Sequence, residues 1–273
     1  MKRIITLFFI FIFAVSCSKT QTQNAAQSSS ASDNSLQKVK ESGKLVLGLD
    51  DTFAPMGFRD EVGNIVGFDI DLAKEVASRL GVELEAKPID WSSAILSLKK
   101  GDVDVIWNGF AVNESRKQQV NFTKPYLYNR LMIARYSNRD DINSKEDLKG
   151  KVVGVQTGSS NYETLVNDPI SKEIKEIRQY DSYVNAFLDL EAKRIDAVVV
   201  DEIVGRYYIS KEKADFEVLE DNPITSQYLS VGLRKTDTEL LNAIDKALDD
   251  MRADGKASEI STKWFGKDIF IKG

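Results

Sequence analysis

The stretch Val103-Asp104-Val105-Ile106-Trp107-Asn108-Gly109-Phe110-Ala111-Val112-Asn113-Glu114-Ser115-Arg116 decides how the rest of the chain is interpreted. Its apolar start predicts a buried strand, followed by a turn in which Gly109 allows close approach of the backbone to a ligand. Asn113 is a favourable N-cap, so a helix is predicted to begin after it. Free amides at a helix N-terminus attract anions, and Arg116 can hold a carboxylate through two parallel hydrogen bonds. Taken alone, Arg116 also fits a surface arginine paired with Glu114 or an aspartate.

The composition excludes several classes of site. The 273 residues are 42% hydrophobic and 29% charged, which is usual for a globular protein of one large domain or two modest ones. The net charge of -5 argues against nucleic-acid binding. The chain has no histidine and one cysteine, which excludes histidine-dependent catalysis, histidine or thiolate metal sites and intramolecular disulfides. We therefore expect no metal and no cofactor.

The N-terminus has the pattern of an export signal. Lys2 and Arg3 precede an apolar run over 4–15 that is too short to span a bilayer comfortably, and small residues lead to Cys17. Residues 1–16 are therefore predicted to be a signal peptide. The segment resembles a bacterial lipoprotein signal, in which acyl chains such as palmitate on the new N-terminal cysteine anchor the protein to a membrane. A plain signal peptide with an incidental cysteine is the alternative.

After the signal, the sequence predicts a segment without regular structure, followed by a folded domain. Residues 17–35 are mainly Gln, Asn, Ala, Ser and Thr and are predicted to form a flexible tether. The predicted helices cover 36–42, 69–80, 92–100, 182–192, 236–253 and 257–264, and the predicted strands include 45–49, 82–89, 130–135, 152–155, 195–200 and 226–234. This alternation predicts an α/β fold with mostly parallel sheets and helices on both faces.

Asp50 and Phe53 follow the first predicted strand. In open α/β sheets, ligands bind beyond the carboxyl ends of the strands, so both residues lie where recognition groups are expected. Asp50 could instead be a turn residue that bonds its own backbone, and Phe53 could simply pack in the core.

Five motifs and the C-terminal ending together point to a known family. They are Gly67-Phe68-Asp69-Ile70-Asp71-Leu72, residues 108–116, Phe122-Thr123-Lys124-Pro125-Tyr126, residues 148–155, Val231-Gly232-Leu233-Arg234-Lys235 and Lys263-Trp264-Phe265-Gly266. Their order and spacing are highly specific and span about residues 45–266. With these motifs the chain resembles the periplasmic (type II) solute-binding proteins of ABC importers, in the polar amino-acid branch.

The resemblance implies two α/β lobes that close by a hinge over a ligand in the cleft between them. The hinge strands correspond to residues near 130–136 and 226–234. Lobe 1 then comprises 36–132 and 229–273, and lobe 2 comprises 133–228. The protein is expected to be an exported monomer, lipid-anchored to the cell membrane and facing the periplasm or the cell exterior. It is expected to deliver a free amino acid to permease subunits in that membrane.

The resemblance also implies the residues of the cleft. Arg116 would bind the ligand carboxylate, and Asp201 its α-ammonium group. The other implied contacts are backbone groups around Asn108, Gly109 and Ala111, aromatic walls at Phe53 and Trp91, a side-chain contact at Asp50, and lobe 2 groups at Gln156, Ser159 and Ser160. Two opposite ligand charges need partners when they are buried, which agrees with this assignment. Ala111 departs from the family pattern, which has Thr or Ser there, and Asp201 could also be an N-cap.

The predicted function is therefore binding without chemistry, for a neutral polar or cationic amino acid or cystine. The uncharged Gln156 and the negative net charge make acidic ligands the least favoured. An enzyme on the same fold, such as a dehydratase of a cyclic acid, would need a general acid or base in the cleft, for which Asp50, Asp51 and Glu202 are the candidates. A surface adhesin is a third possibility.

Overall fold

A computed structural model describes residues 33–212 and 215–271. The predicted signal peptide, Cys17 and most of the predicted tether lie outside these residues. Among the residues described, we find no helix with the length and apolar character needed to cross a bilayer. Asp33 and Ser35 already belong to the folded domain, because they accept hydrogen bonds from the N–H groups of Glu239 at 2.6 Å and Leu240 at 3.1 Å. The predicted tether therefore extends too far at its C-terminal end.

Helices and strands alternate along the described chain. The helices are α1 (Ser35–Ser42), α2 (Phe68–Leu80), α3 (Ala94–Lys100), α4 (Glu114–Lys117), α5 (Ser160–Asn167), α6 (Tyr183–Glu191), α7 (Glu202–Glu212), α8 (Thr238–Ala253) and α9 (Lys256–Phe265). The strands are β1 (Lys44–Leu49), β2 (Thr52–Phe53), β3 (Gly57–Arg59), β4 (Ile65–Val66), β5 (Glu83–Pro88), β6 (Val105–Ile106), β7 (Asn121–Phe122), β8 (Leu127–Tyr136), β9 (Val152–Gln156), β10 (Glu176–Tyr180), β11 (Ala197–Asp201), β12 (Phe216–Val218), β13 (Thr225–Leu229) and β14 (Gly232–Leu233). Short 3-10 turns lie at Trp91–Ser93, Lys145–Leu148 and Pro169–Lys172.

The first lobe is built on a sheet of strand order β5-β1-β6-β14-β7. Strands β5, β1 and β6 are parallel, and β14 runs antiparallel to its neighbours. Helix α2 buries Leu72 and Val76 in the core, and α8 buries Leu240, Ile244 and Leu248. These residues recur every four positions, so each helix turns one apolar face inward. Strands β2, β3 and β4 form a separate small antiparallel sheet.

The second lobe has a sheet of order β10-β9-β11-β8-β12, with β13 also paired to β8. Strands β10, β9 and β11 are parallel, whereas β8 is antiparallel to β11, β12 and β13. The fully buried run Ala197–Val200 of β11 is as apolar as expected for a central strand covered on both faces. The strands β1, β6, β9 and β11 thus end at or before the residues predicted to carry the binding groups.

The crossing between the lobes differs from the prediction. Strands β8 and β13 pair from Leu127↔Leu229 to Leu131↔Thr225. The predicted continuous strand 226–234 is wrong, because the chain leaves the lobe 2 sheet after β13 and joins the lobe 1 sheet as β14. Between them, Ser230 N–H donates to the carbonyl of Phe110 at 3.0 Å, and Val231 N–H donates to the Thr123 hydroxyl at 2.9 Å.

The helix after Asn113 is shorter than the opening stretch suggested. Asn113 caps it as predicted, with Oδ1 accepting from Arg116 N–H at 2.8 Å. However, α4 is a single turn, since the fully buried Val120 already directs the chain back to the sheet at β7. Arg116 therefore lies in a tight capped turn rather than at the start of a long helix.

Candidate ligand-binding site

A small cavity lies at the carboxyl ends of the strands, between the lobes. It is narrow in this closed arrangement and is lined by Phe53, Trp91, Gly109, Arg116, Gln156, Ser159, Ser160, Asn161 and Asp201. The sequence had singled out all of these except Asn161. Three further predicted residues lie next to the lining residues. Asp50 bonds to Gln156, Ala111 bonds to Arg116, and Asn108 bonds to Asp50. The structure therefore brings the predicted set together around one cavity.

Arg116 presents a buried guanidinium group to this cavity. Its Nη1 donates to the Ala111 carbonyl at 3.0 Å, Nη2 donates to the Gly158 carbonyl at 3.3 Å, and the guanidinium carbon lies 4.3 Å from the centre of the Phe110 ring. Burial lowers the pKa of Arg116 to about 10, so it is charged at neutral pH. The predicted alternative of a pair with Glu114 is wrong, because Glu114 pairs with Lys117 at 2.7 Å. Within residues 33–212 and 215–271, no carboxylate forms an ion pair with Arg116.

Asp201 supplies the opposite charge from the other lobe. Its Oδ1 accepts a short hydrogen bond from Asn129 Nδ2, and its Oδ2 accepts one from Asn161 Nδ2 at 3.0 Å. Burial raises the pKa of Asp201 to about 6, while the two amides and the charge of Arg116 act in the opposite direction. The two side chains present a cation and an anion to one small cavity, which suits a ligand carrying both charges.

Asp50 and Gln156 join the lobes on another side of the cavity. Gln156 Nε2 donates to Asp50 Oδ2 at 2.6 Å, across a sequence separation of 106 residues. Asp50 Oδ1 accepts from the N–H and hydroxyl of Thr52 at 2.9 and 2.6 Å, so the residue also has the predicted turn role. Burial raises the pKa of Asp50. The buried Asn108 supports this corner, since its Oδ1 accepts from Asp50 N–H at 3.1 Å.

Several contacts show that the lobes are closed on each other. Besides the Asp50–Gln156 bond and the Arg116–Gly158 bond, Asn113 Nδ2 donates to Glu163 Oε2 at 2.9 Å. A Cβ added to Gly158 would lie 2.6 Å from Ser92 Cα, so these two segments touch through their backbones. Glycine is required at this contact, because Gly158 also has a φ of +70°.

The aromatic walls combine packing with exposure to the cavity. Phe53 is buried, and its ring lies 5.9 Å from that of Tyr183. Trp91 is only partly buried and meets Phe110 edge-on at 5.9 Å. Phe53 thus serves the core, as the simpler interpretation had it, and also lines the cavity.

The hydroxyls of Ser159 and Ser160 are engaged within the protein. Ser159 Oγ accepts from Tyr162 N–H at 3.1 Å as the N-cap of α5 and donates to the Gln156 carbonyl at 2.7 Å. Ser160 Oγ donates to Gln227 Oε1 on β13 at 3.0 Å. Both residues line the cavity, but their hydroxyls also fix the α5 turn and its contact with the hinge.

Asn129 and Asn161 are the functional neighbours that sequence reasoning missed. Asn161 follows the predicted Ser160 directly, so the first turn of α5 could have suggested it. Asn129 gave no such signal, because it lies 72 residues from Asp201 and reaches it only through the pairing of β8 with β11.

Two of the three candidates for acid-base chemistry, Asp51 and Glu202, are held in ion pairs, and the third, Asp50, accepts hydrogen bonds from Thr52 and Gln156. Asp51 pairs with Arg59 at 2.6 Å, and Glu202 pairs with Arg130 at 2.7 Å and Arg206 at 2.8 Å. These arginines lower the pKa of Glu202, which is the wrong direction for a general acid. Among the described residues, no cluster of three or more acidic, histidine or cysteine side chains could hold a metal ion.

Comparisons with known proteins agree with this geometry. The sequence model of the bacterial extracellular solute-binding proteins, family 3, matches residues 45–267. The L-cystine-binding protein TcyJ of Escherichia coli (strain K12) is 34% identical over 240 residues, which cover 88% of this chain and 89% of that protein. The histidine-binding periplasmic protein of the same strain is 35% identical over 233 residues, with 82% and 88% covered.

A solved structure confirms the two-lobed fold. The substrate-binding protein of an ABC uptake transporter from Streptococcus pneumoniae, with bound histidine, superposes with a TM-score of 0.84 at 34% identity. The match covers 88% of this chain and 99% of that one. The predicted α/β architecture of a periplasmic binding protein is therefore correct.

Proposed function

The chain belongs to the bacterial extracellular solute-binding proteins of family 3, and we propose that it captures a free amino acid for an ABC importer. The observation that carries this proposal is the pair of buried side chains of opposite charge, Arg116 and Asp201, on one small cavity. Arg116 would hold the α-carboxylate and Asp201 the α-ammonium group. The closed lobes would then exclude water and deliver the ligand to the permease. The relatives are binding proteins, so the protein is a binder rather than an enzyme.

For the ligand side chain, we propose a neutral polar or cationic amino acid or cystine. Asp50 and Gln156 lie together at one side of the site, where they offer a carboxylate and an amide. Arg116 is the one cationic side chain among the residues that line the described cavity, and it is assigned to the α-carboxylate. An acidic side chain would therefore face Asp50 without a cation of its own. The named ligands of the relatives, cystine and histidine, fall in the favoured classes.

The direct test is a thermal-shift panel of the twenty common amino acids and cystine. A ligand that binds only the folded protein raises its melting temperature. At a ligand concentration of 100 Kd, the free energy of unfolding increases by about 2.7 kcal/mol. We expect at least one polar or cationic member to do so, and small-angle scattering to show a more compact particle on its addition. Aspartate and glutamate serve as comparisons. If no amino acid changes the melting temperature, the proposed ligand class is wrong.

We further propose that Cys17 carries the lipid anchor. Cys17 lies outside the described residues, so the support comes from the sequence. Cys17 follows directly after the apolar run and the small residues of the signal. Cys17→Ser should move the protein from the membrane fraction to the soluble fraction and leave amino-acid affinity unchanged. Fractionation and binding assays on both forms check this expectation. A Cys17→Ser protein that stays with the membrane would contradict the proposal.

A further inference from the structure

The motif Gly67-Phe68-Asp69-Ile70-Asp71-Leu72 contains two aspartates with separate partners. Both lie in the first turn of α2, where the positive end of the helix dipole favours acidic groups. Asp71 Oδ2 accepts from Lys263 Nζ at 2.6 Å and from Trp264 Nε1 at 2.8 Å, so it ties α2 to α9. Asp69 points elsewhere: its Oδ2 accepts from Gly109 N–H at 2.7 Å, in the turn that lines the cavity.

The same turn of α2 also holds the segment that carries the aromatic wall. Phe68 N–H donates to the Pro55 carbonyl and Asp69 N–H to the Met56 carbonyl, both at 2.9 Å. This docking requires Gly67, whose φ is +146° and where a Cβ would lie 2.2 Å from the Met56 oxygen. Phe53 lies just before this segment, so the start of α2 holds both the turn and the segment next to Phe53.

The turn and the wall are themselves in close contact. Gly109 has a φ of +60°, and a Cβ at this position would lie 2.7 Å from Phe53 Cε1. The ring of Phe53 therefore rests on the glycine whose N–H is held by Asp69. A shift of the Gly109 peptide would move the cavity floor, the Phe53 ring and the neighbouring carbonyl of Ala111 that holds Arg116.

The carboxyl group of Asp69 is enclosed by polar side chains. It is fully buried, and Tyr126 and Trp107 are directed towards it, although neither reaches hydrogen-bond geometry. Burial raises the pKa of Asp69 to about 7, while Gly109, Tyr126 and Trp107 favour the ionised form. Burying a carboxyl group costs free energy unless hydrogen bonds compensate for the lost water. Its best-formed hydrogen bond comes from Gly109 N–H, in the turn that lines the cavity.

We infer that Asp69 is a positioning residue for ligand binding, which fixes the turn 108–110 through the N–H of Gly109. The inference rests on the proposed amino-acid-binding function. Asp69 does not line the cavity, so it acts through Gly109, Phe53 and the Ala111 carbonyl that orients Arg116.

The test compares Asp69→Ala with Asp71→Ala, which removes a carboxyl group from the same turn of the same helix. Affinity is measured by calorimetry against the amino-acid and cystine panel, and amide hydrogen exchange is measured by NMR without ligand. Asp69→Ala should weaken Kd at least tenfold and speed exchange at Gly109 at least tenfold, relative to amides of β1. Asp71→Ala should leave Kd within twofold, whatever its effect on the melting temperature.

A variant of conserved shape guards against misfolding. Asp69→Asn keeps one oxygen for Gly109 but turns an N–H₂ group towards the donors Trp107 and Tyr126, so an intermediate loss of about three- to tenfold in Kd is expected. If Asp69→Ala does not fold, Asp69→Asn decides, and a Kd within twofold of wild type overturns the inference. Equal loss of affinity in Asp69→Ala and Asp71→Ala also overturns it. Wild-type protein that binds no panel member refutes the proposed function instead.

Discussion

Replacing Arg116 with alanine should cost about 2–5 kcal/mol of binding free energy, the usual cost of removing one partner of a buried charge pair. This corresponds to a Kd weakened roughly 30-fold or more, since about 1.4 kcal/mol is tenfold. The ligand carboxylate would keep only backbone amides as partners in the closed cleft. Calorimetric titration of wild type and Arg116→Ala with the same amino acid measures the loss.

Two further variants sharpen this result. Arg116→Lys should recover only part of the affinity, because an ammonium group lacks the two-pronged geometry of guanidinium. Lys117→Ala, in the same turn, removes an exposed cation that pairs with Glu114 and should leave Kd unchanged. The unliganded melting temperature of Arg116→Ala should change little, since lost contacts to Ala111 and Phe110 are offset by removal of a buried charge. Near wild-type affinity in Arg116→Ala would show that the cleft assignment is wrong.

The parts of the fold that could be predicted are those set by local pattern. Helices α2 and α8 were predicted to within two residues, because their apolar residues recur at helical spacing and glycine ends α2 at Gly81. The strand 226–234 was mispredicted because its pattern of apolar and polar residues does not show that its two halves belong to different sheets. Its break at Ser230 follows from the tertiary crossing between lobes, which no local window contains.

The candidate site was predictable where a strand end alone determines position. Gln156 and Asp201 are the last residues of β9 and β11, and Arg116 lies in the segment after β6, so the topology collects them at one edge. The partners of these groups were not predictable in this way. Asn129 reaches Asp201 through the register of β8, and Asp50 reaches Gln156 only when the lobes close. Such contacts depend on register and hinge angle, to which sequence spacing is insensitive.

Asp201→Asn is expected to weaken binding by a similar amount to Arg116→Ala, about 2–5 kcal/mol, because it removes the charge that the α-ammonium group requires. The amide keeps nearly the same shape and one acceptor oxygen for Asn129 or Asn161. Removal of a buried carboxylate with a raised pKa also relieves its desolvation, so the unliganded protein should remain folded. Calorimetry at pH 8 measures the loss of ligand affinity, and a melting curve of the unliganded variant measures the change in stability.

The pH dependence of affinity tests the same residue in the wild-type protein. Burial in the closed lobes raises the pKa of Asp201 to about 6, and only the ionised form can pair with an ammonium group. As the pH falls below about 6, binding must release a proton, and Kd should rise by up to about tenfold per pH unit. Well above pH 6, Asp201 is ionised, and its protonation no longer affects Kd. The charged group across the cavity, Arg116, keeps its proton throughout, whereas Asp50 also has a raised pKa, so Asp201→Asn is the necessary control. If wild type and Asp201→Asn lose affinity in parallel between pH 7 and pH 5, then Asp201 is not the ammonium partner.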